Sequence, residues 1–521
     1  MSHTSPAPID TQEVERSPGQ SALIIITLCL SVVVIIAGVA SLNVAIPTIG
    51  RELQATQSQL QWIIDAYAIA LAALLLPAGA LGDRFGRKRM MVIGYVGLVA
   101  SAIWAATTND INSLIVARAL GGAFSALIFP GTLSTITNVI PSERRGFAVA
   151  MWTASASLGG TLGSLGAGAL IESYWFGSIF VALAVIGVVI GLMTAAFVPE
   201  TSDPTHANLD PIGSVSSIVG LGALTLGIIE GPVKGWTSTL VISSFIVAVI
   251  GLGVFITWEL RTKRPLLDVR LFRLRGFSTG SVSIFLQFFA AFGFFFIAAQ
   301  YLAFVFGYSP FVIGAAFLPL GLSIPLASGM APKLAERFGR GPIGGVGLGV
   351  LATGSALFTL LGTGSEYWAF AVAVLVFGLG MGLAAPPATE AIVEALPARK
   401  QGVASAINDV SRELGGALGI ALIGSMFTSG YQRGIDDADL APELTDVVRE
   451  APAIGLGVAA EAGEAAPTIA GSVEQAVTDG FSLGMWFAAA SCVVGAIFVV
   501  ARSPKAGTET SVLDAETAEA N

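Results

Sequence analysis

The sequence predicts an all-α polytopic membrane protein: two parallel six-helix repeats with two further helices inserted between them. Three observations lead there, namely the composition, the number of long apolar segments and an internal repeat. Of the 521 residues, 12% are charged and 54% are hydrophobic, and the mean hydropathy is +0.79. An ordinary soluble domain carries about 25% charged residues, so a soluble fold of this composition could not cover its surface.

A bilayer span needs roughly 20 mostly apolar residues. Fourteen segments qualify: 22–47, 59–81, 91–108, 111–139, 146–170, 176–198, 212–232, 239–258, 278–306, 311–333, 341–362, 366–396, 402–428 and 481–501. The polar segment 1–20, with Pro6, Pro8 and Pro18, reads as a disordered tail, not a signal peptide. The tail 506–521 reads the same way.

Lys and Arg concentrate after the even-numbered spans, as the positive-inside rule requires of cytoplasmic loops. They are Arg84, Arg87, Lys88 and Arg89; Arg144 and Arg145; Arg261, Lys263, Arg264, Arg270, Arg273 and Arg275; Arg337 and Arg340; Arg399 and Lys400; Arg502 and Lys505. Both termini are therefore expected in the cytoplasm of a cell-membrane protein. One loop disagrees: 199–210 should be cytoplasmic yet has no Lys or Arg. Segment 430–480 holds ten Asp/Glu against Arg433 and Arg449 and is assigned outside. Val458–Ala466 within it is a candidate short helix, weakened by Gly463.

The repeat appears in three matches. Gly82-Asp-Arg-Phe-Gly-Arg87 recurs as Ala335-Glu-Arg-Phe-Gly-Arg340, Pro141-Ser-Glu-Arg-Arg-Gly146 as Pro397-Ala-Arg-Lys-Gln-Gly402, and Leu158-Gly-Gly160 as Leu414-Gly-Gly416. The offsets are 253, 256 and 256. Halves with the same topology are parallel repeats about an axis along the membrane normal. The predicted domains are 21–198, a six-helix bundle; 199–275, two inserted helices and a basic loop; and 276–505, the second bundle with its external segment.

Several function classes are excluded. His3 and His206 lie in polar segments, Cys29 and Cys492 sit singly in apolar runs, and no CxxC occurs. Zinc, haem and thiol chemistry have no ligand set, and no Walker loop exists. No basic stripe supports nucleic-acid binding. No nucleophile–base pair suggests an enzyme.

Gly79-Ala-Leu-Gly-Asp83-Arg84-Phe-Gly86-Arg87-Lys88 resembles the signature between helices 2 and 3 of the major facilitator superfamily. With fourteen spans and the central pair, the chain resembles the fourteen-helix drug:proton antiporters, exporters of quaternary ammonium compounds among them. The resemblance covers about 21–505. It implies the major facilitator fold, a cytoplasmic latch at Asp83–Lys88, alternating access, and a proton gradient as driving force without a cofactor. Its expected partners are a small lipophilic substrate, protons and membrane lipids, with the protein a monomer.

The candidate coupling and substrate residues are the intramembrane charges. Asp65, in Gln61-Trp62-Ile-Ile-Asp65-Ala-Tyr67, costs about 2.5–3.5 kcal/mol to insert and so faces a partner or a wet cavity. Ionised, it would attract a lipophilic cation, with cation–π help from Trp62 and Tyr67. Arg118 is the sole charge of span 4 and resembles the family's helix 4 arginine, with Gly121 where a glutamine is usual. It cannot release a proton, so it would act on a nearby acid. In span 13, Asp409 and Glu413 share a face beside Asn408 and Arg412, and two close carboxylates resist double ionisation. A buried ion-pair network reads those four residues equally well. Glu390 is a further cavity candidate, Glu394 is read as interfacial, and Glu230 as an outer-loop residue. Phe288, Phe289, Phe292, Phe294, Phe295 and Phe296 could line a cavity or pack.

Two departures from the family pattern bear on function. Gly163-Ser164 stands where the antiporter motif has Gly-Pro, leaving Gly159, Gly163 and Gly168 as packing glycines. Before Asn43, Gly38 replaces an aspartate and Ala40 a threonine. Losing that acid favours the alternative of a dedicated exporter of one endogenous metabolite, such as an antibiotic or siderophore.

Overall fold

The computed structural model describes residues 18–202, 210–262, 265, 267–396 and 401–504. Residues 1–17, His206, Lys263, Arg264, the repeat positions 397–400 and residues 505–521 lie outside the described residues, while residues 18–20 of the expected first tail are already helical. Among the described residues every regular element is a helix. The first six are α1 (Pro18–Leu53), α2 (Gln57–Phe85), α3 (Arg87–Thr107), α4 (Ile111–Val139), α5 (Ser142–Ser173) and α6 (Ser178–Phe197). Then come α7 (Pro211–Lys234) and α8 (Thr239–Arg261). The second set is α9 (Arg275–Phe304), α10 (Pro310–Ala316) leading into α11 (Leu318–Phe338), α12 (Arg340–Phe358), α13 (Tyr367–Glu394) and α14 (Gln401–Asp436). Short α15 (Pro442–Val448) and α16 (Pro452–Glu461) precede α17 (Ala466–Arg502).

Thirteen helices among the described residues are long and apolar enough to cross a membrane, α10 and α11 acting as one. Helix α5, with 32 residues, is the fourteenth long helix and runs along α1. The chain is a multipass membrane protein.

Local chemistry sets the helix starts. Thr56 and Gln59 form a capping box on α2, the Thr56 amide donating to Gln59 Oε1 at 2.9 Å. Asp110 accepts from the Ser113 amide at 2.8 Å to start α4, and Asp210 and Ser238 cap α7 and α8.

The repeat is visible as geometry. Gly86 and Gly339 occupy equivalent turns with φ of 108° and 91°, a region L side chains disfavour. Just before them, Arg84 lies over the Phe85 ring at 5.4 Å and Arg337 over Phe338 at 5.2 Å.

Packing follows the glycines. Helix α5 lies so close to α1 that a Cβ at Gly163 would sit 2.7 Å from the Ala37 Cα, and one at Gly159 2.8 Å from the Val33 carbonyl oxygen. At Gly168 the neighbour is Phe311 of α10, with 2.6 Å to its Cα. The packing role assigned to these three glycines thus acts both within the first set and between the sets.

The inserted pair α7–α8 sits on the seam, with α7 against α2 and α14. Ile228 and Ile229 meet Ala421 and Trp62, and the Ser425 hydroxyl donates to the Ile228 carbonyl at 3.1 Å. Helix α8 turns Val249, Ile250 and Val254 outward, as a lipid-facing helix does. Glu230 departs from its outer-loop reading. Helix α7 continues through Gly231-Pro232 to Lys234, and Glu230 is only 9% exposed. It accepts from the Ser58 hydroxyl at 2.7 Å and pairs with Lys234 at 3.3 Å, tying α7 to α2.

Segment 430–480 is more helical than its polarity suggests. Helices α14 and α17 overrun the apolar stretches and stay paired through Gly430 against Gly480 and Gly434 against Ala476. The short helix begins six residues earlier than expected, at Pro452, and ends before Gly463, whose φ is 55°. Its buried side packs on α1 and α17, with Ala453 against Gly50.

Candidate functional site

Asp65 is fully buried in α2, and neither carboxylate oxygen has a hydrogen-bond partner among the described residues. Gln61, one turn earlier, faces Gly424 of α14, and Ala68 and Ile69 pack on Ala417. Asp65 is therefore level with about residue 421 of α14, roughly 12 Å along the axis from Glu413 at 1.5 Å per residue. Asp65 and the α14 acids are two separate stations. Asn43 of α1 is also buried, its Nδ2 donating to Val39 O at 3.5 Å while its Oδ1 stays unpaired. Trp62 is spent on apolar contact with α7 and α14.

The partner missing for Arg118 proves to be an aromatic ring and a carbonyl. Its guanidinium lies over the Tyr67 ring at 4.2 Å, and its Nε donates to Ile63 O at 3.2 Å. Gly122 makes this approach possible, because a Cβ there would collide with the Tyr67 carbonyl. The Tyr67 hydroxyl donates to Ser125 Oγ at 2.8 Å. Tyr67 thus gives one ring face to a protein cation, not to a substrate.

On α14, Arg412 pairs loosely with Asp409 at 3.9 Å and covers the Phe288 ring at 4.6 Å. Asn408 Nδ2 donates to Thr389 Oγ1 at 3.1 Å. The phenylalanines divide. Phe288 faces Arg412 and Phe292 packs beside it against Gly416, whereas Phe294 is packed among Phe358, Phe370 and Phe377 of α12 and α13. Glu390 does not stand alone. It accepts from Arg340 Nε at 3.0 Å, and Arg340 also grips Glu394, with both acids partly exposed.

In the loop between α2 and α3, Asp83 holds Arg87 at 2.7 Å. Glu200 accepts from the Lys88 amide at 3.1 Å and pairs with Arg89 at 3.5 Å, and the Arg87 amide donates to Thr201 O at 2.9 Å. The loop without basic residues thus carries the acid that the basic loop uses. Sequence reasoning missed Glu200; its lack of Lys and Arg opposite a basic loop was the signal. Gly79 packs on Pro130.

Among the described residues no group of three or more His, Cys, Asp or Glu could hold a metal.

The Major Facilitator Superfamily profile matches residues 28–420. The chain belongs to that superfamily of small-molecule transporters. Among its relatives, the multidrug efflux pump LfrA of Mycolicibacterium smegmatis is 31% identical over 94% of this chain and 98% of its own length. The methyl viologen resistance protein SmvA of Salmonella typhimurium is 32% identical over 84% and 88%, and the methylenomycin A resistance protein of Streptomyces coelicolor 31% over 78% and 86%. In fold the chain is similar to an inward-facing, unoccupied bacterial homologue of the human lysosomal transporter Spinster, with a TM-score of 0.63, 15% identity and coverage of 94% and 100%. Within the superfamily frame the two departures gain a structural setting. Gly38 lies beside Leu183 and lines a cavity with Arg118, and Ser164 bonds back to the Gly160 carbonyl at 3.0 Å inside an unbroken α5.

Proposed function

We propose that this protein is a proton-coupled antiporter that exports lipophilic, chiefly cationic compounds across the cytoplasmic membrane by alternating access. The observation that carries the reading is Asp65, an acid wholly buried at the seam between the two sets of helices with both oxygens unpaired. Such a group is stable there neutral, or ionised against a bound cation. Taking up a proton and releasing a cation are then alternatives at one site, which gives substrate and proton the differential binding that alternating access needs. The protein's efflux and resistance relatives support the substrate class.

The bundles 21–198 and 276–505 are the moving bodies, with α7 and α8 riding on the seam and both termini in the cytoplasm. The sets meet at the outer end in this orientation, through Gly168 with Phe311, Gly314 with Ser164, and the Gln57 amide donating to Glu450 O at 3.3 Å. That arrangement corresponds to an inward-facing state. The Asp83–Arg87 pair, held inside its own loop, would re-form against the second set when the outer end opens.

The test is energised ethidium efflux from cells expressing wild type, Asp65→Asn and Asp409→Asn, with and without a protonophore. Protonophore-sensitive efflux lost in Asp65→Asn at equal membrane expression is the expected result. No ethidium exclusion by well-expressed wild type sinks broad cation export. A dedicated exporter of a neutral or anionic metabolite then takes its place, the reading that Arg118, a buried cation paired with no carboxylate among the described residues, favours.

A further inference from the structure

Helices α1, α2, α3, α4 and α6 line a partly open cavity of about 30 Å³, above the roughly 10–15 Å³ that one water needs. Gly38, Tyr67, Ser101, Arg118 and Gly121 line it, and the remaining wall is aliphatic or aromatic. Arg118 is 5% exposed, and its Nη2 has no hydrogen-bond partner among the described residues. The fixed groups around it do not neutralise it. Tyr67 and the Ile63 carbonyl are uncharged, and the Tyr67 hydroxyl is taken by Ser125. The Ser101 hydroxyl donates to the Leu98 carbonyl at 2.9 Å. Asp65, also on α2, has both oxygens unpartnered and so is not bound to Arg118. Among the described residues no ion pair joins Glu413 to Arg118.

A buried cation without an opposite charge is unfavourable unless something supplies one. At Gly38 the wall has no side chain, and a Cβ there would meet only Leu183, at ordinary contact distances of 3.6 and 3.9 Å. We propose that Arg118 and the cavity beside Gly38 bind one small monovalent anion of the chloride class. The volume exceeds what a single water needs, so a small ion fits beside the guanidinium. The single free guanidinium N–H edge and the apolar wall suit a weakly hydrated halide better than an ion that needs many donors.

The measurement is thermal unfolding of the purified full-length protein in detergent, in sodium chloride against sodium gluconate at equal ionic strength and pH. It involves no transport, so its outcome is separate from that of the efflux assay. Wild type should unfold at a higher temperature in chloride, by about 1 °C at ten times the half-saturating concentration, and the shift should saturate. Gly38→Asp supplies an internal anion and should erase the chloride shift while raising the midpoint in gluconate. Arg118→Gln should erase the shift without raising the midpoint. Equal midpoints for wild type in the two salts, or a chloride shift undiminished in Gly38→Asp, overturns the proposal and leaves a cavity occupied by water only. If neither variant folds, the wild-type titration still decides.

Discussion

Replacing Gly163 by Ala should destabilise the protein, while the same change at Gly160, three residues earlier on the same helix, should not. Both substitutions gain the same helix propensity, about 1 kcal/mol in favour of Ala, so comparing them cancels that term. They differ in surroundings. A Cβ at Gly163 would lie 2.7 Å from both the Cα and the carbonyl oxygen of Ala37, whereas one at Gly160 meets nothing within 4 Å. The obstacle at Gly163 is backbone, which cannot rotate away as a side chain can, so α5 must move off α1 by about an ångström. Overpacking of this kind costs about 1–3 kcal/mol. For a chain of this size that separates the two midpoints by roughly 1–3 °C. Thermal unfolding of the two purified variants, followed by loss of soluble monomer, reads the difference. Equal midpoints would refute the close α1–α5 contact and with it the packing role given to the glycines.

Three further outcomes are expected. Tyr67→Phe loses the hydrogen bond to Ser125 but keeps the ring under Arg118, so it should cost about 1 kcal/mol in an unfolding assay and leave expression intact. Gly86→Ala meets both a φ of 108° and the Glu200 carboxylate; it should lower the unfolding midpoint by an amount equivalent to about 1–3 kcal/mol, and Glu200→Ala in the same chain should recover only the steric part. Arg340→Ala breaks partly exposed ion pairs with Glu390 and Glu394 and should shift stability by no more than about 1 kcal/mol, a result that a shift of several degrees in the midpoint would contradict.

Much of the architecture was legible in the chain because its causes are local. Hydropathy over roughly 20 residues marks a span whatever its neighbours, so all fourteen long helices were predicted, to within several residues for most ends. Repeat spacing alone paired Gly86 with Gly339, and both adopt the left-handed turn. The misjudged places were those where a distant partner decides. Glu230 looked like a loop residue beside Gly231-Pro232, yet Ser58, 172 residues away in sequence, receives it inside α7. Polarity made segment 430–480 look like a loop, whereas pairing of Gly430 with Gly480 keeps α14 and α17 helical well past their apolar stretches. Sequence singled out Asp65, Arg118, Asp409 and Glu413 because a charge inside an apolar run is unusual wherever it sits. What each charge meets is a matter of helix azimuth and depth, set by packing between segments that no local signal links. Only the tertiary structure could therefore separate Asp65 from the α14 acids, commit the Tyr67 ring to Arg118, and open a cavity where Gly38 has no side chain.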